Sequence, residues 1–244
     1  MKIAVCFLSC KRNHFNLEKW KLQAFNSKYH NVDIYEYIDH DAEYIIDGNT
    51  ILFNYDYLRN KFNWHVVYNN LGSAVGIKSG AMLLPWLDMW SNHKDEYDMY
   101  IYIEDDIAYF GKNNFFDEID FNCDTIFATN RYLMSQFNWS WRTREHKLDR
   151  NIIKDHWHGL CNLFGYTSNK IEKLVAFINE GNYAHFEWLL SSFAMNQNPL
   201  RVHYVSNYMN VWTSYIKRDL PQNKVYDLIH PINTEYEYNS QYYK

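Results

Sequence analysis

The sequence contains the stretch Tyr100-Ile101-Tyr102-Ile103-Glu104-Asp105-Asp106-Ile107, in which an almost continuous apolar run ends in three adjacent acids. The run is typical of a strand that is buried on both faces. Three neighbouring carboxylates repel one another and lose solvation on burial, so a positive charge must compensate them. A hard divalent cation such as Mg²⁺ or Mn²⁺, which typically bridges carboxylates to a diphosphate, would supply this positive charge. The alternative is an acidic turn that water solvates.

Strands and helices alternate along the chain on both sides of this stretch. The patterns predict strands at 2–10, 32–39, 63–67, 97–103 and 125–129, and helices at 14–28 and 74–90, with Pro85 kinking or dividing the second helix. This order predicts an α/β fold, a mostly parallel twisted sheet with helices on both faces. In such sheets ligands bind at the carboxyl ends of the strands, where Asp39 and residues 104–106 would lie.

The second half begins with a polar and aromatic stretch, 131–156, that is too long for an ordinary connection. It suggests a mobile lid or an acceptor-binding segment. A helix at 168–180, capped by Ser168 and ended by Gly181, a helix near 185–195 and a strand at 200–205 are predicted to follow.

Composition excludes several classes of protein. The 244 residues carry a net charge of −5 and are 19% aromatic, with 22 Tyr, 15 Phe and 9 Trp. A disordered chain or a general nucleic-acid binder is therefore not expected. No apolar run approaches the roughly 18–20 residues of a membrane span, and the first residues do not fit a secretory signal. Four sparse cysteines suggest reduced thiols. We expect a cytoplasmic protein that contacts a membrane surface at most transiently.

The order of the motifs resembles the GT-A class of nucleotide-sugar glycosyltransferases, of the family-2-like type. The matching parts are the first strand, Asp39 after the second strand, the turn Asn69-Asn70-Leu71-Gly72-Ser73 with Lys78 in the next helix, and Glu104-Asp105-Asp106. One departure concerns the helix, where the class often has Arg followed by Asn and this chain has Lys78-Ser79.

The resemblance implies a metal-dependent transfer of a sugar from a nucleotide-diphosphate donor to a hydroxyl of a glycan or other acceptor. It also implies a single domain over 1–244, with a nucleotide-sugar-binding half at 1–130, a mobile lid or acceptor segment at 131–157 and an acceptor-side half at 158–244. The metal, Mn²⁺ or Mg²⁺, would be held by Glu104, Asp106 and His230. The residues implied for donor binding are Ser9, Lys11, Arg12, Asp39, Asn70, Gly72, Lys78 and Asp105.

Several second-half residues allow two interpretations each. Glu187 would be the general base of an inverting reaction, or it only favours the helix dipole. His230 would join the metal, or it is structural. Trp139 and Trp141 would stack on an acceptor sugar, or they pack within the lid. His158 would contact substrate, or it lies in a turn beside the donor sugar; His156 and His158 could bind a metal together, but no further Cys or His has the spacing of a zinc site.

Two rival functions remain beside the glycosyltransferase. A sugar nucleotidyltransferase is disfavoured because residues 9–13 contain no glycine. A non-catalytic carbohydrate-binding, glycosyltransferase-like module is disfavoured by the three acids, since sugar stacking requires no diphosphate metal site. Aromatic residues in the predicted strands are expected in the core, whereas Tyr132, Phe137, Trp139, Trp141 and Trp157 are the candidate sugar platform.

Overall fold

In the part of the chain that the computed structural model of this protein describes, seven strands form the central sheet. The structure describes residues 1–9, 14–39, 50–64, 82–120, 122–128, 130–136 and 146–204, and the backbone of 208–210 and 228–230. Within these ranges, no helix has both the length and the apolar character that crossing a bilayer requires.

The elements follow one another along the chain as alternating strands and helices, with a few short strands between them. In order they are β1 Lys2–Ser9, α1 His14–Phe25, β2 Asn31–Asp39, β3 Thr50–Phe53, α2 Tyr55–Lys61, α3 Leu84–Asn92, β4 Met99–Glu104, β5 Ala108–Tyr109, β6 Thr125–Phe127, β7 Tyr132–Leu133, β8 Trp157–His158, β9 Leu163–Thr167, α4 Ser168–Asn179, α5 Phe186–Gln197, β10 Val202–Tyr204, β11 Tyr208–Asn210 and β12 Leu228–His230.

The strand order of the main sheet is β10-β6-β9-β4-β1-β2-β3. The pairs β1–β2, β2–β3, β1–β4 and β6–β10 are parallel, whereas β9 is antiparallel to both β4 and β6. Six strands therefore run in one direction and one runs against them, which confirms the predicted mostly parallel α/β class. The order reverses between β1 and β4, and open α/β sheets bind ligands at such a switch point.

Helices cover both faces of the sheet, as predicted. Along β1, Ile3, Val5 and Phe7 face the cluster that contains α1, while the alternate residues face the cluster of α2, α3, α4 and α5. One tryptophan on each side also bonds to the backbone of the β4 region: Trp86 Nε1 donates to Tyr100 O at 3.0 Å, and Trp20 Nε1 donates to Ile107 O at 2.9 Å. Phe7, Tyr37, Tyr100 and Tyr102 of the predicted strands lie in this core, as expected, and Tyr35 is partly buried against it.

Two local predictions were wrong. The third strand is Thr50–Phe53, and residues 63–64 of the predicted strand follow α2 outside any strand, while residues 65–67 lie outside the described residues. The N-cap of α4 is Thr167, since Ser168 lies within the helix and its hydroxyl donates to Lys94 O.

The helix predicted at 74–90, with Pro85 kinking or dividing it, is described from residue 82 onward, and residues 74–81 lie outside the described residues. Residues 82–83 form a turn, and α3 begins at Leu84 with Pro85 in its first turn, where a missing N–H costs nothing.

Gly181 ends α4, as predicted, and has a φ of 84°, in the left-handed region. Its N–H donates to Ile178 O at 2.9 Å. We expect Gly181→Ala to lower the free energy of unfolding by about 1–2 kcal/mol, because a Cβ is strained in this conformation. Urea denaturation measures this loss, and Asn179→Ala in the exposed last turn of α4 is the control. Equal stability of the two variants would contradict the prediction.

Candidate active site

The three acids form a tight turn at the carboxyl edge of the sheet. Glu104 ends β4 beside Leu8 of β1, and Ile107 N donates to Glu104 O at 3.1 Å to close the turn. Asp105 N donates to Leu8 O at 3.1 Å, and Asn16 Nδ2 of α1 donates to Asp105 O at 2.8 Å. The backbone of the turn is therefore held by both β1 and α1.

The three carboxylates have different surroundings. Glu104 is buried, and its Oε2 accepts a 2.6 Å hydrogen bond from Asn162 Nδ2, while its Oε1 accepts one from the Tyr102 hydroxyl at 3.4 Å. Asp105 is also buried, whereas Asp106 is partly exposed. Protein donors thus engage Glu104, and Asp106 is the acid that reaches the surface of the turn.

The ends of β1 and β2 lie at the same edge as this acidic turn. Ser9 is in register with Ile38, one residue before Asp39. The Ser9 hydroxyl donates to Glu36 Oε1 at 2.8 Å, and the Thr50 hydroxyl donates to Glu36 Oε2 at 3.1 Å. The structure therefore brings Ser9 and Asp39 to the edge that carries the acids, with the Ser9 hydroxyl bonded inside the protein. The other residues predicted for donor binding, Lys11, Arg12, Asn70, Gly72 and Lys78, lie outside the described residues.

A strand from near the end of the chain pairs with β5, directly after the acidic turn. Ile229 of β12 is opposite Ala108 in an antiparallel register, and Leu228 is opposite Tyr109. His230 is the next residue along β12, so its backbone lies beside the Ile107 end of the turn. More than 120 residues of chain separate these two positions. The fold therefore brings the backbone of His230 next to the acids with which it was predicted to act.

Glu187 lies in the first turn of α5 and is buried. Its Oε1 accepts a hydrogen bond from Cys161 N at 3.3 Å, and its Oε2 is 3.9 Å from His185 Nδ1, which is beyond hydrogen-bond distance. The first turn favours its negative charge. Cys161 precedes Asn162, the partner of Glu104, so one short segment contacts both carboxylates.

His158 is the described member of the predicted acceptor-binding group, since Trp139 and Trp141 lie outside the described residues. It is buried and lies opposite Tyr132 in the β7–β8 pair, with ring centroids 6.0 Å apart. Burial, followed by the charge of Arg131, lowers the pKa of His158. The imidazole is therefore neutral near pH 7 and can exchange a hydrogen bond with a hydroxyl.

His156 has a different role from His158. Its Nδ1 accepts a hydrogen bond from Trp188 Nε1 of α5 at 3.0 Å. Burial lowers its pKa, with a further contribution from His146. This geometry requires an unprotonated Nδ1 and ties the chain before β8 to α5. The two histidines thus do not act as a pair.

Two residues of the site were not anticipated from the sequence. Asn162 holds the Glu104 carboxylate, and Arg131, which is only 6% exposed, lies against the segment that follows β8. A Cβ on Gly159 would lie 2.0 Å from Arg131 Nη1, so this glycine permits the close approach of the guanidinium. Gly159, in a stretch otherwise rich in large side chains, is the signal that could have indicated the contact.

The donor set of the turn suits a hard divalent cation. Among the residues whose side chains the structure describes, no three His, Cys, Asp or Glu are grouped closely enough to hold an ion by themselves. Mg²⁺ in proteins is usually bound by one or two carboxylates, with substrate phosphates and water completing its shell. Asp105 and Asp106, adjacent in a fixed turn, fit that pattern.

No protein-family model matches this sequence. No curated protein matches it either. Among solved structures, mouse xyloside xylosyltransferase 1 in its apo form is similar at 10% identity and a TM-score of 0.48, over 94% of this chain and 97% of that chain. The galactosyltransferase LgtC, in complex with donor and acceptor sugar analogs, is similar at 8% identity and a TM-score of 0.49, over 95% of this chain and 87% of that chain. At these values the likeness assigns neither activity nor substrate.

Proposed function

We propose that the protein is a metal-dependent glycosyltransferase that moves a sugar from a nucleotide-diphosphate donor to an acceptor hydroxyl in glycan or surface polysaccharide synthesis. The observation that carries this proposal is the pairing of β12 with β5, which brings the backbone of His230 beside the turn of Glu104, Asp105 and Asp106. A sheet edge with adjacent carboxylates and a histidine from a distant segment suits a cation-bound diphosphate better than it suits sugar stacking.

The donor would lie across the switch point between β1 and β4. Asp39 and the chain around Ser9 would bind the nucleoside, with Lys78 as a point charge near the diphosphate. Asp106 and His230, with Asp105 or Glu104, would hold Mn²⁺ or Mg²⁺. When bound, the cation stabilises the charge of the departing diphosphate.

The acceptor would approach from the side of β8 and α5. Its hydroxyl attacks the anomeric carbon, the bond from that carbon to the diphosphate oxygen breaks, and Glu187 takes the hydroxyl proton in an inverting reaction. Neutral His158 would orient the hydroxyl by a hydrogen bond. Segment 131–157, with Trp139 and Trp141, would cover the acceptor sugar.

Titration of the purified chain with nucleoside diphosphates, with and without Mn²⁺, tests the proposal. We expect binding of at least one nucleoside diphosphate that Mn²⁺ tightens by about tenfold or more, as when an ion bridges protein and phosphates. We also expect Mn²⁺-dependent release of that diphosphate from a matching nucleotide sugar.

Three results would overturn the proposal. The first is the absence of metal-dependent binding for every nucleoside diphosphate. The second is binding of free sugars combined with no binding of any nucleotide, which would favour a carbohydrate-binding module. The third is consumption of a nucleoside triphosphate with a sugar phosphate, which would identify a nucleotidyltransferase.

A further inference from the structure

Residues 158–162, which run from the end of β8 to the start of β9 and form the joining segment, contact the carboxylates of Glu104 and Glu187. Cys161 N donates to Glu187 Oε1 at 3.3 Å. Asn162 donates from its side chain to Glu104 Oε2 at 2.6 Å, and its carbonyl accepts from Glu104 N at 3.0 Å. His158 begins the same segment. Any shift of this joining segment would therefore move three predicted site residues together.

Arg131 fixes the joining segment from the side of β6. Its Nη1 donates to Leu160 O at 3.0 Å and its Nη2 contacts Cys161 Sγ at 3.6 Å. Its guanidinium stacks on the Phe127 ring at 3.5 Å from the centroid. Gly159 leaves the space that the guanidinium occupies. A planar, rigid donor group with contacts on three sides holds a loop more firmly than a lysine ammonium does.

The burial of the Arg131 guanidinium costs free energy of hydration, which indicates that this residue has a role in the site. A cation at 6% exposure loses most of its hydration, and an apolar side chain would fill the same space without that cost. The Cys161 thiol is not a charged partner, because burial raises its pKa to about 12. The charges of Glu187 and Glu104 raise that pKa further, and both carboxylates are hydrogen-bonded to the segment that Arg131 contacts.

We propose that Arg131 is a positioning residue that holds the joining segment, and through it orients Glu187 and His158 toward the acceptor. This proposal deepens the glycosyltransferase proposal and rests on it for the roles of those two residues. The positive charge of Arg131 also favours the neutral imidazole of His158, which a hydroxyl partner requires.

Lys170 provides a matched control for Arg131. It is a buried cation in α4, paired with Asp124 at 2.8 Å and 5.6 Å from the Tyr166 ring centroid. Asp124 precedes β6 and Tyr166 is near the end of β9, so this pair lies at the opposite edge of the sheet from the candidate site. Lys170→Met removes a buried positive charge without touching the joining segment.

The first measurement is the NMR titration of the His158 ring in the free protein, with His158→Gln to assign its signal. We expect Arg131→Met to raise the His158 pKa part of the way toward its ordinary value, because the charge of Arg131 is removed while the burial of the ring remains. Lys170→Met should leave that pKa unchanged, and Arg131→Lys should keep it close to that of the unmodified protein.

The second measurement is amide hydrogen exchange at Cys161 and Glu104. We expect Arg131→Met and Arg131→Lys to accelerate both by about tenfold or more, because neither side chain can make both contacts to Leu160 and Cys161. Lys170→Met should accelerate neither. Unchanged exchange in Arg131→Met, or equal acceleration in Lys170→Met, would overturn the proposal. Both measurements use protein without nucleotide or metal. A negative result would therefore overturn the role of Arg131, whereas the absence of nucleoside diphosphate binding would overturn the proposed function.

Discussion

Asp106→Asn should abolish the Mn²⁺-dependent tightening of nucleoside diphosphate binding and lower nucleotide-sugar turnover by about 10²–10³-fold. A cation on a departing diphosphate stabilises the transition state by several kcal/mol, and an amide oxygen cannot replace the charge of the carboxylate that holds it. The thermal midpoint should change little, because Asp106 is partly exposed and the backbone bonds of its turn come from Leu8, Asn16 and Trp20.

The control for Asp106→Asn is Asp95→Asn, which removes the same charge from an exposed position before the amino end of β4. Isothermal titration with Mn²⁺ and a nucleoside diphosphate gives the affinity of each variant, and scanning calorimetry gives its thermal midpoint. Turnover within threefold of the unmodified protein in Asp106→Asn would refute the metal role. A large fall in thermal midpoint would instead show that the carboxylate maintains the turn.

The strand that carries the acids was predictable because its signal is local. An apolar run followed by three acids fixes both the burial of β4 and the chemistry at its end, and the structure places every residue of β4 in the interior. The same reasoning gave β1 and β2, whose pattern and length suffice without knowledge of their partners. Predictions of this kind depend on a strong pattern over six or more residues.

Short elements that depend on their partners were missed. β3 has four residues, and Leu52 is 50% exposed, so its pattern contains little that distinguishes it from a loop. Its stability comes from pairing with β2. The following helix did carry a local signal, because Asn54 caps it by accepting a hydrogen bond from Tyr57 N. An N-cap residue such as Asn54 indicates a helix more strongly than the residues at 63–67 indicate a strand.

Only the part of the site that lies at the ends of the strands could be predicted from the sequence. Asp39 and the acidic turn share an edge because parallel strands end together. Asn162 and Arg131 could not be assigned, because their roles depend on the antiparallel insertion of β9 between β4 and β6. No local pattern distinguishes parallel from antiparallel pairing of a short buried strand. The position of His230 likewise depends on the pairing of β12 with β5.

Glu187→Gln should lower turnover by about 10²–10⁴-fold while leaving nucleoside diphosphate binding intact. The carboxylate is proposed to take the acceptor proton, and an amide cannot do so. Gln retains an oxygen that can accept from Cys161 N, so the buried N–H keeps its partner and the fold should tolerate the change. Glu187→Ala removes that acceptor and should also lower the free energy of unfolding by about 1–3 kcal/mol.

The comparison of these two variants separates catalysis from structure. If Glu187 only favours the dipole of α5, Glu187→Gln should lose about 0.3–1 kcal/mol of stability with the charge and should turn over normally, while Glu187→Ala should still lose the acceptor of Cys161 N. Asp88→Asn controls for the loss of a buried negative charge, since Asp88 pairs with Lys61 between α2 and α3, outside the candidate site. Initial rates at saturating donor, with unfolding curves for all three variants, decide between the two roles, because only a proton acceptor at Glu187 predicts a stable and inactive Glu187→Gln protein.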